Sequence, residues 1–122
     1  MGKIGICIVI LLLSACGINP VNDVNGTTGG TIAAAPSGLT VTSTAPITLS
    51  WTGSTGATSY KVYRGTASGV LSTKTLLASN ITVTTYTDTS ATAGTIYYYQ
   101  VTAVNASGES AASNEVNATP PL

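Results

Sequence analysis

Gly94-Thr95-Ile96-Tyr97-Tyr98-Tyr99-Gln100-Val101-Thr102-Ala103-Val104-Asn105 holds the longest β-favouring run beyond the apolar N-terminal segment, and the run starts straight after the turn glycine Gly94. Successive side chains of a strand point to opposite sides. Tyr97, Tyr99, Val101 and Ala103 therefore share one face, and Tyr98, Gln100 and Thr102 share the other. The first set suits a core and the second set suits solvent. This alternation predicts a strand with one buried face, and the rest of the chain reads as its partners.

Moving back from that run, Leu39 and Val41 share a face near the start of the domain. Ile47, Leu49 and Trp51 point inward past Pro46, with Thr48, Ser50 and Thr52 outward. Tyr60 and Val62 are inward, Lys61 and Tyr63 outward. A shorter strand is predicted over residues 74–79, and another over residues 84–88 with Tyr86 inward. Residues 105–110 read as a loop, and residues 113–119 as the closing strand before Pro120-Pro121. Gly, Ser and Asn separate these runs as turn residues do. The sum is an all-β, seven-stranded antiparallel sandwich.

Composition limits the chemistry. The 122 residues include four basic and four acidic ones, for a formal net charge of zero. No basic field exists to attract nucleic acid. The chain has no histidine to activate a serine, and no Gly-x-Ser-x-Gly elbow. Asp23, Asp88, Glu109 and Glu115 are read as solvated acids rather than a paired acid and base across a cleft. No clustered metal ligands occur. The expectation is a non-enzyme with no cofactor, no metal and no nucleic-acid partner, working as a monomer.

The first residues read as an address. Lys3 precedes an apolar run over residues 4–13, about half the length that crosses a bilayer, which is the pattern of a secretory signal peptide. Leu13-Ser14-Ala15-Cys16 resembles the lipobox of bacterial lipoproteins. That resemblance implies removal of residues 1–15, lipidation of Cys16 and attachment to a bacterial membrane, outside the cytoplasm. Gly17 in place of an aspartate favours the outer membrane or cell surface. Cys7 lies in the removed part, so no disulfide is expected. Residues 16–35, rich in Gly, Asn and Thr, read as the lipidated cysteine and a flexible tether.

Residues 36–119 read as the domain and residues 120–122 as a tail. Ala35-Pro36-Ser37-Gly38-Leu39, Leu49-Ser50-Trp51, Tyr60-Lys61-Val62-Tyr63-Arg64, Thr95-Ile96-Tyr97, Val101-Thr102-Ala103-Val104-Asn105 and Gly108-Glu109-Ser110 together resemble a fibronectin type III domain. The likeness is to bacterial modules found beside carbohydrate-active and surface proteins. It implies an immunoglobulin-like sandwich with Trp51, Tyr60, Tyr97 and Tyr99 in its core. Tyr97 would form a tyrosine corner, its hydroxyl bonded to nearby backbone. Tyr99 would occupy the place of an immunoglobulin cysteine. Ala91 stands where the family usually has leucine, leaving less side chain beneath the corner.

The predicted role is to present one such module from a lipid anchor, for protein interaction, adhesion or spacing. The alternative is a carbohydrate-binding accessory lipoprotein beside a polysaccharide-degrading enzyme. The candidate binding face is Tyr63 and Tyr98 with Lys61 and Gln100, outward on neighbouring strands. Tyrosine rings there could stack on a sugar or anchor a protein, or could stabilise the sheet alone. The partner would be a surface protein or a glycan.

Overall fold

The computed structural model describes residues 30–122; the signal segment, Cys16 and the tether up to residue 29 lie outside the described residues. Ile32–Leu122 form a compact unit. Its strands are β1 (Ser37–Thr44), β2 (Ile47–Thr52), β3 (Ser59–Gly65), β4 (Thr75–Ile81), β5 (Thr85–Asp88), β6 (Tyr97–Asn105), β7 (Gly108–Glu109) and β8 (Val116–Ala118). One sheet has the order β1-β2-β5, the other β4-β3-β6-β7, with β8 also paired to β6. Every pairing is antiparallel.

The core is the set the alternation selects. Leu39, Ile47, Leu49 and Trp51 from one sheet meet Tyr60, Val62, Tyr97, Tyr99, Val101 and Ala103 from the other, all buried. Trp51 meets Tyr60 edge to face, with centroids 5.6 Å apart, an arrangement that ring quadrupoles favour. Val41, Tyr86 and Ala91 pack against this core partly buried. Ala33 joins it from within the predicted tether, so packing begins ahead of Pro36. Pro120 is also buried, and its carbonyl accepts from the Gly94 N–H (2.9 Å). Gly94 sits at φ +80, a conformation open to glycine at little cost, in the turn that leads into β6.

The closing strand departs from the prediction. Among the described residues there are eight strands rather than seven, because the last one is interrupted. The expected loop over residues 105–110 is a tight hairpin turn, Ala106-Ser107, with Asn105 paired to Gly108. The Asn105 side-chain oxygen takes the Ser107 N–H (2.9 Å), as asparagine does in short turns.

Beyond β7 the ladder is continued by side chains. The Ser110 N–H donates to Ala103 O (2.8 Å), while the Ala103 N–H donates to Ser110 Oγ (2.9 Å). The pattern repeats three residues on, at Ser113. The Ser113 N–H donates to Val101 O (2.8 Å), and the Val101 N–H donates to Ser113 Oγ (2.9 Å). Each serine hydroxyl replaces a strand carbonyl, so the buried amides of β6 stay bonded while the chain bends away. Asn114 then bridges the sheets. It accepts from the Leu39 N–H at Oδ1 (3.0 Å) and donates from Nδ2 to Leu39 O (2.9 Å).

Candidate functional site

The candidate face lies on the outside of the five-stranded sheet. Lys61 pairs with Thr102, Tyr63 with Gln100 and Gly65 with Tyr98, so all four candidates share one side. Their surroundings differ from the solvated face that was predicted. Glu109, read from the sequence as a solvated acid, folds over this side from β7. Its Oε1 accepts from Lys61 Nζ (3.0 Å), and its Oε2 from Tyr63 Oη (2.5 Å) and Thr102 Oγ1 (2.7 Å). Thr102 is thereby fully buried.

Gln100 is buried as well, against expectation. Its Nε2 donates to Ser113 O (3.1 Å) under the bent closing segment. The serine interruption that breaks the last strand is what covers it. Tyr98 is half-buried beside Asn117 of β8. Leu76, which sequence reasoning passed over, stands half-exposed opposite Tyr63. What remains open is a small surface of Tyr63, Tyr98, Leu76 and the Lys61 stem, with Glu109 tied across one side. It can offer ring faces and an aliphatic contact, while its charges already satisfy each other.

Electrostatics follow that geometry. Burial, and then the Glu109 carboxylate, push the Tyr63 phenol up to about 12. For Glu109 burial opposes the charge, but bonds from Tyr63, Thr102 and Lys61 outweigh it and its pKa is lowered.

A second polar cluster sits at the opposite end of the domain, where β3 and β5 end and β6 begins. Asp88, predicted to be solvated, is 1% exposed. Its Oδ1 accepts from the Ser90 N–H (2.9 Å) and Ser90 Oγ (2.7 Å); its Oδ2 accepts from Tyr99 Oη (2.7 Å) and Arg64 Nη1 (2.9 Å). Burial would raise the carboxyl pKa, but these four donors lower it overall. Arg64 also lies over the Tyr97 ring, 4.6 Å from its centroid, and the Tyr97 hydroxyl accepts from the Thr92 N–H (3.1 Å). Tyr99 thus brings a hydrogen bond as well as a ring to the position compared with a cysteine.

A third pair joins the loop after β3 to the segment before β8. Lys74 Nζ donates to Glu115 Oε2 (2.5 Å) and Gly69 O (2.7 Å). Glu115 also takes bonds from Ser68 Oγ and the Gly69 N–H. Each of the six charged side chains among the described residues therefore belongs to an ion pair.

Comparison with known proteins gives the arrangement its relatives. An Fn3-like protein from Clostridium thermocellum superposes with a TM-score of 0.65 at 40% identity, over 75% of this chain and 97% of that one. An amylopullulanase of Thermoanaerobacter thermohydrosulfuricus is 44% identical over 108 residues, 78% of this chain but 7% of its own length. Chitinase A1 of Niallia circulans is 45% identical over 89 residues, 68% of this chain and 11% of its own. Residues 34–119 match the fibronectin type III domain family, and the chain belongs to that family.

Proposed function

We infer that this protein is a non-enzymatic, lipid-anchored module, held outside the cytoplasm at a bacterial outer membrane or cell surface. It presents its fibronectin type III domain as an interaction, adhesion or spacing unit. One observation carries the non-catalytic reading. Asp88, Glu109 and Glu115 are all committed to ion pairs, and a chain without histidine has no other ordinary acid–base group near neutrality. The two enzymes support it, because the matching stretch is a small fraction of each.

The anchor rests on Lys3, the apolar run and Leu13-Ser14-Ala15-Cys16. Acyl chains contribute about 0.8 kcal/mol per buried CH₂, so two or more hold a protein on a bilayer without a spanning helix. Replacing Cys16 by Ser moves the protein from the membrane fraction to the soluble one. A Cys16→Ser protein that stays with the membrane refutes the anchor.

The second reading, a carbohydrate-binding accessory lipoprotein, is favoured by the names of those enzymes and by the ring faces of Tyr63 and Tyr98. On a glycan array it predicts specific retention that Tyr63→Ala and Tyr98→Ala each abolish. An array without retention leaves the protein-interaction reading, which is pursued by pull-down from surface extracts.

A further inference from the structure

The end of the domain that carries Asp88 also has a hollow of about 250 Å³, lined by Arg64, Gly65, Thr66, Thr73, Thr75 and Tyr97. We propose that this hollow is a binding site for a small carboxylate, gripped by the unused edge of Arg64. Arg64 makes its two side-chain hydrogen bonds through Nη1 alone, to Asp88 Oδ2 (2.9 Å) and Ser90 Oγ (3.0 Å). Its Nε and Nη2 have no hydrogen-bond partner among the described residues. The side chain keeps 24% of its surface exposed.

The Tyr97 ring beneath the guanidinium and the Asp88 bond at one corner fix its plane. A guanidinium held in this way presents Nε–H and one Nη–H as a parallel fork, which matches the two oxygens of a carboxylate. Asp88 does not use up that capacity, since three neutral donors share its charge with Arg64.

The walls suit the same ligand. No acid lines the hollow; the carboxylate nearest to Arg64, Asp88, is held at the Nη1 corner, where Ser90 and Tyr99 also donate to it. Lys74 is turned away to Gly69 and Glu115, which leaves Arg64 as the one cation lining it. Thr66, Thr73 and Thr75 also line the hollow; the Thr73 and Thr75 hydroxyls donate to Val70 O (2.6 Å) and Arg64 O (3.3 Å) and keep lone pairs for a ligand that carries hydroxyls beside its carboxylate. The volume accepts a molecule the size of a monosaccharide. The shared chemistry is a carboxylate, from a uronic-acid unit of a polysaccharide or from a free organic acid.

Arg64 is the only arginine in the chain, so its Nε–H gives a single, self-assigned NMR signal. The full chain is titrated with glucuronate, acetate and glucose at constant ionic strength. Saturable movement of that signal with glucuronate, and none with glucose, supports the site. Tighter binding of glucuronate than acetate assigns it to a sugar acid, and equal binding to free acids. Absence of saturation with both acids, or equal response to glucose, overturns the proposal.

Arg64→Lys keeps the charge without the fork and abolishes binding. Because Arg64 also supports Asp88, Thr75→Tyr is the second variant. Thr75 is exposed and pairs with Arg64 on the neighbouring strand, so the ring fills the hollow and leaves the Asp88 bonds in place. Thr75→Tyr at unchanged thermal midpoint loses glucuronate binding; retained binding in that variant refutes the location.

Discussion

Asp88 shows how far one residue's role depends on its neighbours. Its carboxylate is buried and takes four hydrogen bonds, one from a charged partner. Removing one side of a buried, bonded ion pair typically costs about 3–5 kcal/mol, because the other charge stays behind undercompensated. Asp88→Asn should fall toward the lower end of that range, since Arg64 keeps 24% of its side-chain surface in water. Glu109→Gln removes a pair whose two side chains are 31% and 29% exposed. Solvent screens such a pair, and its loss costs about 1 kcal/mol or less. Urea denaturation of the two variants measures the difference. Equal midpoints would show that the Asp88 cluster adds no more than a surface pair.

At the scale of elements, legibility follows the range of the interactions. The inward set on β6 was readable because a period of two is local: Tyr97, Tyr99, Val101 and Ala103 announce their face without reference to other strands. The outer face was not readable in that way. Gln100 and Thr102 look like solvent residues on their own strand, and only the arrival of Glu109 and Ser113 covers them. Asp88, Glu109 and Glu115 were misread for the same reason, since each finds its base on another element. The broken last strand was hidden because Ser110 and Ser113 imitate backbone acceptors, a role no propensity scale records.

That imitation is testable. Ser113→Ala leaves the Val101 N–H, on a residue with no exposed surface, without its acceptor. An unsatisfied buried donor costs about 1–3 kcal/mol, and Ser110→Ala does the same to Ala103. Hydrogen exchange at the Val101 amide should accelerate in the Ser113 variant ahead of global unfolding. Unchanged protection would mean that the hydroxyl is not the acceptor that matters.

For the whole molecule the charge pattern sets the pH profile. Asp88, Glu109 and Glu115 all have lowered pKa values. For Glu115 the bond from Lys74 is the main cause, followed by burial acting against it. A carboxylate with a lower pKa in the fold than in the unfolded chain holds fewer protons when folded. Its contribution is complete above the unfolded values, about 3.9 to 4.3, and disappears as pH falls through the folded ones. Tyr63 and Tyr99 are displaced upward, first by burial and then by their carboxylate partners. Their contribution is complete below the ordinary phenol value of about 10 and is lost as pH rises through the folded values. With no histidine between these limits, the thermal midpoint should be flat through neutrality, fall below about pH 4 and fall again above about pH 10. Asp88→Asn should flatten the acid fall more than Glu109→Gln, because its pair is the less screened. A midpoint that changes between pH 6 and 8, or an acid limb untouched by Asp88→Asn, would contradict the assignment of stability to these pairs.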